Sequence, residues 1–143
     1  MTTSSEAPHE IVLDAAECMR LLRRLQVGRL VCGEPGRQLR PVSYLVVDDE
    51  IVLRADWVIG DGAEVVFEID ELDTVERQGW SVIVTGRSYP VDAEAIDASV
   101  REQLVPWAPG PKDSWMRITI DAITGRWVRA GRQQEQVDGR GYL

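Results

Sequence analysis

The chain has a single histidine, His9, among 143 residues. It has two cysteines, one phenylalanine (Phe67) and one lysine, Lys112, the other fifteen basic residues being arginine. His9 lies in a polar N-terminal stretch. Serine–histidine and cysteine–histidine catalysis, a histidine zinc site and histidine-ligated haem therefore lack support within one chain. Cys18 and Cys32 have no metal-ligand spacing and read as small buried apolar residues, so no metal site is expected. No run of apolar residues is long enough to span a bilayer and no signal peptide is evident, which points to a soluble, cytoplasmic protein. Positive charge is short as well: net charge is −8 and pI about 4.7, against nucleic-acid or anionic-membrane binding.

What is present suffices for one folded domain. The hydrophobic fraction of 44% supports a core without disulfide staples. Residues 1–12 read as a disordered leader, 13–130 as the domain and 131–143 as a mobile tail. Asp14 can cap a first helix, with Glu17 three residues on and Leu13 stapled to Cys18. Cys18, Leu21, Leu22 and Leu25 recur at helical spacing, and Gly28 marks the stop. Short strands follow at Arg29–Cys32, Arg40–Val47 and Glu50–Ala55, the last two joined by an Asp48-Asp49 turn. Val65–Ile69 is an apolar strand, and Glu71–Gln78 a polar link. Trp80–Val91 is the longest strand signal, with Trp80, Val82 and Val84 on one face. Asp92 can cap a second helix with the stripe Ala93, Ile96, Val100 and Leu104. Trp115–Ile120 and Arg126–Arg129 read as closing strands, separated by Thr124-Gly125. Tight turns between short strands favour a small antiparallel barrel over a parallel sheet, which needs a crossover at each step.

Seven segments in this order carry a resemblance: LLRRLQVGRLVC, LRPVSYLV, IVLRA, VVFEIDELD, GWSVIVTGR, LVPWAPGPKDSWMRI and ITGR. Together they resemble the pyridoxamine 5′-phosphate oxidase-like FMN-binding split-barrel family, in its short actinobacterial form, from about Leu21 to Arg129. The resemblance implies a six-stranded antiparallel split β-barrel with flanking helices, paired as a homodimer. It further implies FMN or a deazaflavin coenzyme in a groove between the subunits, and flavin-dependent oxidoreductase chemistry. The family's phosphate-binding arginine falls at Arg54, with Ala55 where a hydroxyl residue would stand and no counterpart to the family's lysine. Arg40, Val42, Ser43 and Tyr44 match the strand that lines the ring system, and Trp80 and Ser81 the GWS segment near the groove. Tyr44 and Trp80 equally suit barrel core or interface packing. Trp107 belongs to a loop expected to pack on the barrel end.

The loop after Arg54, ADWVIGDGAE, is shorter than in the family and carries Asp56, Asp61 and Glu64 without a cation. A phosphate dianion wants several donors and positive charge. Here Gly60 and Gly62 could lend backbone amides, and the Trp57 indole is expected to fold into the vacated groove. Two readings stand: a flavin- or deazaflavin-dependent oxidoreductase with a reduced phosphate anchor, or a cofactor-free split-barrel dimer that binds another small ligand or a protein partner. No catalytic residue is identifiable from the sequence.

Overall fold

The computed structural model describes residues 7–33, 38–57, 59–105 and 114–131. Among these residues eight strands and two α-helices follow one another as β1 (His9–Leu13), α1 (Ala15–Arg24), β2 (Val27–Cys32), β3 (Gln38–Val47), β4 (Glu50–Ala55), β5 (Ala63–Asp73), β6 (Gln78–Val91), α2 (Ala98–Gln103), β7 (Ser114–Ile118) and β8 (Ala122–Arg129). All strand pairings are antiparallel. The ring β2-β3-β4-β7-β6-β5 closes a six-stranded barrel through the β6–β7 pairing, and β8 and β1 extend it as an open flap. The expected split-barrel architecture is therefore present.

Strand β6 makes the split. Its first half, Gln78–Thr85, pairs with β8, and its last residues, Ser88–Val91, pair with β7. The switch falls at Gly86-Arg87, where the β7–β8 connection crosses. Thr119 N–H donates to the Arg87 carbonyl and the Arg87 N–H to Thr119 Oγ1, both at 3.0 Å, while Asp121 N–H donates to the Thr85 carbonyl at 2.9 Å.

The barrel interior is filled by alternate residues of each strand, among them Leu30, Tyr44, Ile51, Leu53, Phe67, Ile69, Val82 and Val84, all essentially without solvent contact. Helix α1 adds Cys18, Leu21 and Leu22 to this core. Asp14 caps it as expected, Oδ1 accepting the Glu17 N–H at 2.8 Å. A second cluster lies outside the barrel wall, where Val100 and Leu104 cover Val52 and Trp115.

Several expected boundaries move. The leader was expected through residue 12, yet His9–Leu13 forms β1 and pairs residue for residue with β8. The pattern was invisible locally because the pairing partner lies at the other end of the chain. β5 continues to Asp73 rather than ending at Ile69, and the reversal is tight: Asp73 Oδ1 accepts the N–H groups of Val75 and Glu76. The expected helix at Asp92 is broken at Ile96 into a 3-10 turn (Ala93–Ala95) and the short α2, and the Asp92 side chain caps neither. Ala93, Ile96, Val100 and Leu104 still meet in one cluster, so the apolar stripe was read correctly and its continuity was not. Gly28 and Gly125, read as stop and turn residues, lie inside β2 and β8. A Cβ there would fall 2.2 Å from Phe67 Cζ and 2.7 Å from Cys18 Sγ, so both serve close packing. Trp107 and residues 132–143 lie outside the described residues.

Candidate functional site

Alternation along β4 sorts its residues. Ile51, Leu53 and Ala55 face the barrel core, and Val52 and Arg54 face outward. Ala55 is 3% exposed, so its side chain belongs to the interior rather than to an outer groove. Arg54 is half-buried and lies directly across the ladder from Trp115, its guanidinium carbon 5.2 Å from the ring centroid. The cation is thereby placed on the outer wall beside α2, where a planar ring orients it.

The loop after β4 is more closed than its sequence suggests. Ile59 is buried in the core, and residues Gly60–Ala63 form a turn with Ala63 N–H donating to the Gly60 carbonyl at 3.1 Å. Gly62 has a φ of +73°, a conformation that suits glycine. Its N–H, expected to be available to an anion, instead donates to the Ser88 carbonyl at 2.8 Å. The Gly62 carbonyl accepts from Arg87 Nη1 at 2.9 Å, and Arg87 Nη2 pairs with Glu64 at 3.2 Å. A cation absent from the loop's own sequence is thus supplied by β6. The loop is tied down by Arg87, and its glycine amide is already spent.

Strand β3 distributes its candidates over both faces. Val42 and Tyr44 point inward, 8% and 1% exposed. The Tyr44 hydroxyl donates to the Leu22 carbonyl at 2.6 Å, and its ring meets Phe67 edge-on at 4.8 Å. Burial pushes the phenol well above the ordinary tyrosine range. Tyr44 is a core residue joining the barrel to α1, and the expected contact through its side chain is not met. Ser43 faces outward into a small cavity of about 160 Å³ shared with Gln26, Gln103, Leu104 and Val105. Arg40 sits near the start of β3 with its guanidinium carbon 5.0 Å from the Trp57 ring centroid, and it also donates to Gln38 Oε1. Trp57 is half-buried against the core, with the Arg40 guanidinium over its ring.

Trp80 and Ser81 are separated from these. Trp80 packs half-buried on the core, across from Trp127, with the Arg24 guanidinium 5.8 Å from its ring. Ser81 is on the opposite face, across from Asp70 and Arg126. The eight candidates therefore form no single cluster in one chain. Arg54 and Ser43 lie on the outer wall near α2, Arg40 lies over Trp57 of the loop, and Trp80 and Ser81 lie on the flap side. Val42, Tyr44 and Ala55 are interior.

Two contributors were missed. Arg87 closes a motif recognised only for its family likeness, and nothing in the loop sequence announces that it would be the loop's counter-charge. Trp115 stands opposite Arg54 because β7 pairs with β4, a relationship between strands far apart in sequence. Among the described residues, no group of histidine, cysteine and carboxylate side chains could hold a metal ion. No described helix is long and apolar enough to cross a membrane.

The barrel, its split at β6 and an outward arginine at the end of β4 define a class. The sequence profile of the pyridoxamine 5′-phosphate oxidase family matches residues 14–127, and the chain belongs to that family of split-barrel proteins. Among its relatives is the uncharacterised protein Rv0080 of Mycobacterium tuberculosis, 33% identical over 85% of this chain and 88% of the relative. The structure is similar to that of a candidate pyridoxamine 5′-phosphate oxidase from Corynebacterium glutamicum, with TM-score 0.70 and 28% identity over 86% of this chain and 96% of the other. It is also similar to an FAD-binding protein from Mycobacterium smegmatis, with TM-score 0.63 and 28% identity over 85% of this chain and all of the other.

For a flavin phosphate the fit is partial. Arg54 would supply one charged donor. The neighbouring hydroxyl is replaced by buried Ala55, and the Gly62 amide is engaged. These residues would offer one charged contact rather than a cradle.

Proposed function

We propose that this protein is a flavin-binding split-barrel homodimer of the oxidoreductase type, with Arg54 as its phosphate-binding side chain. The observation that carries this reading is Arg54 itself, outward at the end of β4 and oriented on Trp115. A single arginine also favours one coenzyme over another. The phosphate of FMN is a monoester that concentrates close to two negative charges on one phosphorus, whereas the diphosphate of FAD carries one charge on each. One guanidinium without a lysine or hydroxyl partner matches the second better. The FAD-binding relative from M. smegmatis supports the same choice. When bound, the flavin supplies the hydride chemistry, and this chain's part is to position it. The free thiols Cys18 and Cys32 suit a reducing, cytoplasmic setting.

The test is titration of the purified protein with FAD, FMN and the deazaflavin coenzyme, followed by absorbance and fluorescence. FAD is expected to bind at least about tenfold more tightly than FMN. Losing one charge-assisted contact costs about 1.5–3 kcal/mol. Arg54→Ala should therefore weaken binding by roughly one to two decades. Saturable binding untouched by that change removes the anchor assignment, and absence of binding to all three coenzymes removes the function.

A second reading is favoured by the closure of the loop. The Gly62 amide is satisfied, Glu64 is neutralised by Arg87, and Trp57 lies beneath Arg40, an arrangement complete without a ligand. On this reading the protein is a colourless dimer that binds another small molecule or a protein partner.

A further inference from the structure

The open end of the flap is hollow. Leu72, Gly79, Val128 and Glu10 stand opposite one another across β5, β6, β8 and β1. Gly79 leaves a gap in this row. A Cβ there would lie 2.6 Å from the Glu71 carbonyl oxygen and 2.7 Å from Leu72 Cδ2, so Leu72 leans over it. The result is a cavity of about 480 Å³ whose lining includes Pro8, Leu72, Gly79, Val128 and Ala130, with Arg77 beside them. Leu72 is 66% exposed and Val128 37%, apolar side chains left in water on a polar hairpin end.

Arg77 has a φ of +54°, left-handed backbone that glycine adopts freely and a residue with a Cβ adopts at a cost. The hairpin does not call for its side chain. Asp73 Oδ1 holds the turn by accepting the Val75 and Glu76 N–H groups at 3.0 and 2.9 Å, and the Arg77 backbone carbonyl accepts the Ala130 N–H at 2.8 Å. Among the described residues Arg77 has no ion-pair partner. A position where glycine would make an easier turn thus carries a cation beside an apolar hollow, and strain of this kind marks a side chain with a use of its own.

We propose that this cavity binds a small organic monoanion, a carboxylate on an apolar body, with Arg77 meeting the carboxylate and Leu72 and Val128 the body. The site is independent of the coenzyme reading above and uses none of its eight residues. Charge selects the ligand class. Both carboxylates in the lining are engaged, Glu10 with Arg126 Nη1 at 3.4 Å and Asp73 with the turn amides. Arg77 is left to face a ligand, and its planar fork matches a single carboxylate. A phosphate dianion wants more donors than one guanidinium supplies, and a cation would be repelled by it. A nucleic acid would be repelled by the net charge of −8.

Size is consistent as well. Leu72 and Val128 stand two strand spacings apart, about 9.6 Å, which admits one ring system or chain between them. The cavity falls within the range of small-ligand pockets, about 300–1,000 Å³. Arg77 is exposed, so its share of the affinity weakens with salt, while the share from covering Leu72 and Val128 does not.

Calorimetric titration of the full chain with 2-naphthoate tests this, with 2-naphthylmethanol as the same body without the charge. The carboxylate is expected to bind saturably and about tenfold or more tightly than the alcohol, the factor that one charge-assisted contact supplies. Arg77→Gly separates binding from folding. It should lose about tenfold in affinity while its unfolding midpoint holds or rises, because glycine relaxes the left-handed position. Leu72→Glu, a change at a largely exposed residue, should abolish binding and leave the circular dichroism spectrum unchanged. Arg54→Ala should bind as the wild type does. Absence of saturable binding, equal affinity for carboxylate and alcohol, or binding untouched by both Arg77→Gly and Leu72→Glu overturns the proposal. A lowered midpoint in Arg77→Gly returns that side chain to the turn and removes it from the site. Binding lost in Arg54→Ala moves the ligand to the coenzyme groove and overturns this cavity.

Discussion

A Cβ atom on Gly86 would lie 1.7 Å from the carbonyl oxygen of Thr119. The β7–β8 connection passes over Gly86 at the place where β6 exchanges one neighbour for another, and the crossing is fastened by Thr119 and Arg87. Backbone is being asked to yield to backbone, so no rotamer change relieves the clash. Gly86→Ala should cost about 3 kcal/mol. Chemical denaturation at constant slope is the measurement, and a loss under about 1 kcal/mol would show that the crossing can move aside.

Tyr44 offers a different reading of a candidate contact. Tyr44→Phe removes the donor to the Leu22 carbonyl and leaves a buried acceptor unpaired, a loss of about 1–3 kcal/mol. Coenzyme affinity should not change, because the ring remains in the core. The wild-type phenol also has a pH signature. Its folded-state pKa is raised, so stability gained from burying it neutral is complete below about pH 10 and is lost as pH rises beyond that. Of the three tyrosines, one should ionise only as the barrel unfolds in an alkaline absorbance titration.

Arg87 anchors the loop through exposed contacts. Arg87→Ala should alter global stability by less than about 1 kcal/mol, as expected of a solvent-screened pair. Hydrogen exchange at the Gly62 amide should nevertheless speed up, because the turn loses its carbonyl strap while keeping the Ser88 bond. Unchanged protection at Gly62 would mean that the turn holds itself.

Trp57 tests whether the shortened loop closes the groove. Trp57→Ala removes the plane beneath Arg40 and opens volume next to β3. FAD affinity should rise several-fold if the indole competes with coenzyme for that space. An affinity that falls instead would identify Trp57 as part of the coenzyme's own platform.

Much of the fold could be read locally. Asp48 and Asp49 have φ of +50° and +60°, the backbone of a two-residue hairpin turn that carboxamide and carboxylate residues tolerate, and Val47 pairs with Glu50 as their spacing implied. Asp14 announced its helix by the same local logic. The failures are of another kind. Gly28 and Gly125 have the composition of punctuation but the function of clearance, since what approaches them (Phe67 and Cys18) is set by tertiary packing. The candidate site fared worse than the fold. Arg54 was placed on the correct strand, yet its orienting partner Trp115 and the loop's counter-charge Arg87 arrive from β7 and β6. Charge counted along a loop said nothing about charge delivered across it.

The flap has a consequence for the order in which the molecule is built. Among the described residues β1 pairs only with β8, Leu13 lying against Gly125 and His9 against Arg129. During synthesis the strand made first must wait, unpaired and displaying Ile11 and Val12, until the strand made last has left the ribosome. β7, which closes the six-stranded ring, precedes β8 by only a few residues, so barrel closure and flap docking become possible in close succession. Among the described strands, the first in sequence is thus the last to acquire a neighbour, and its docking reports that β8 is in place.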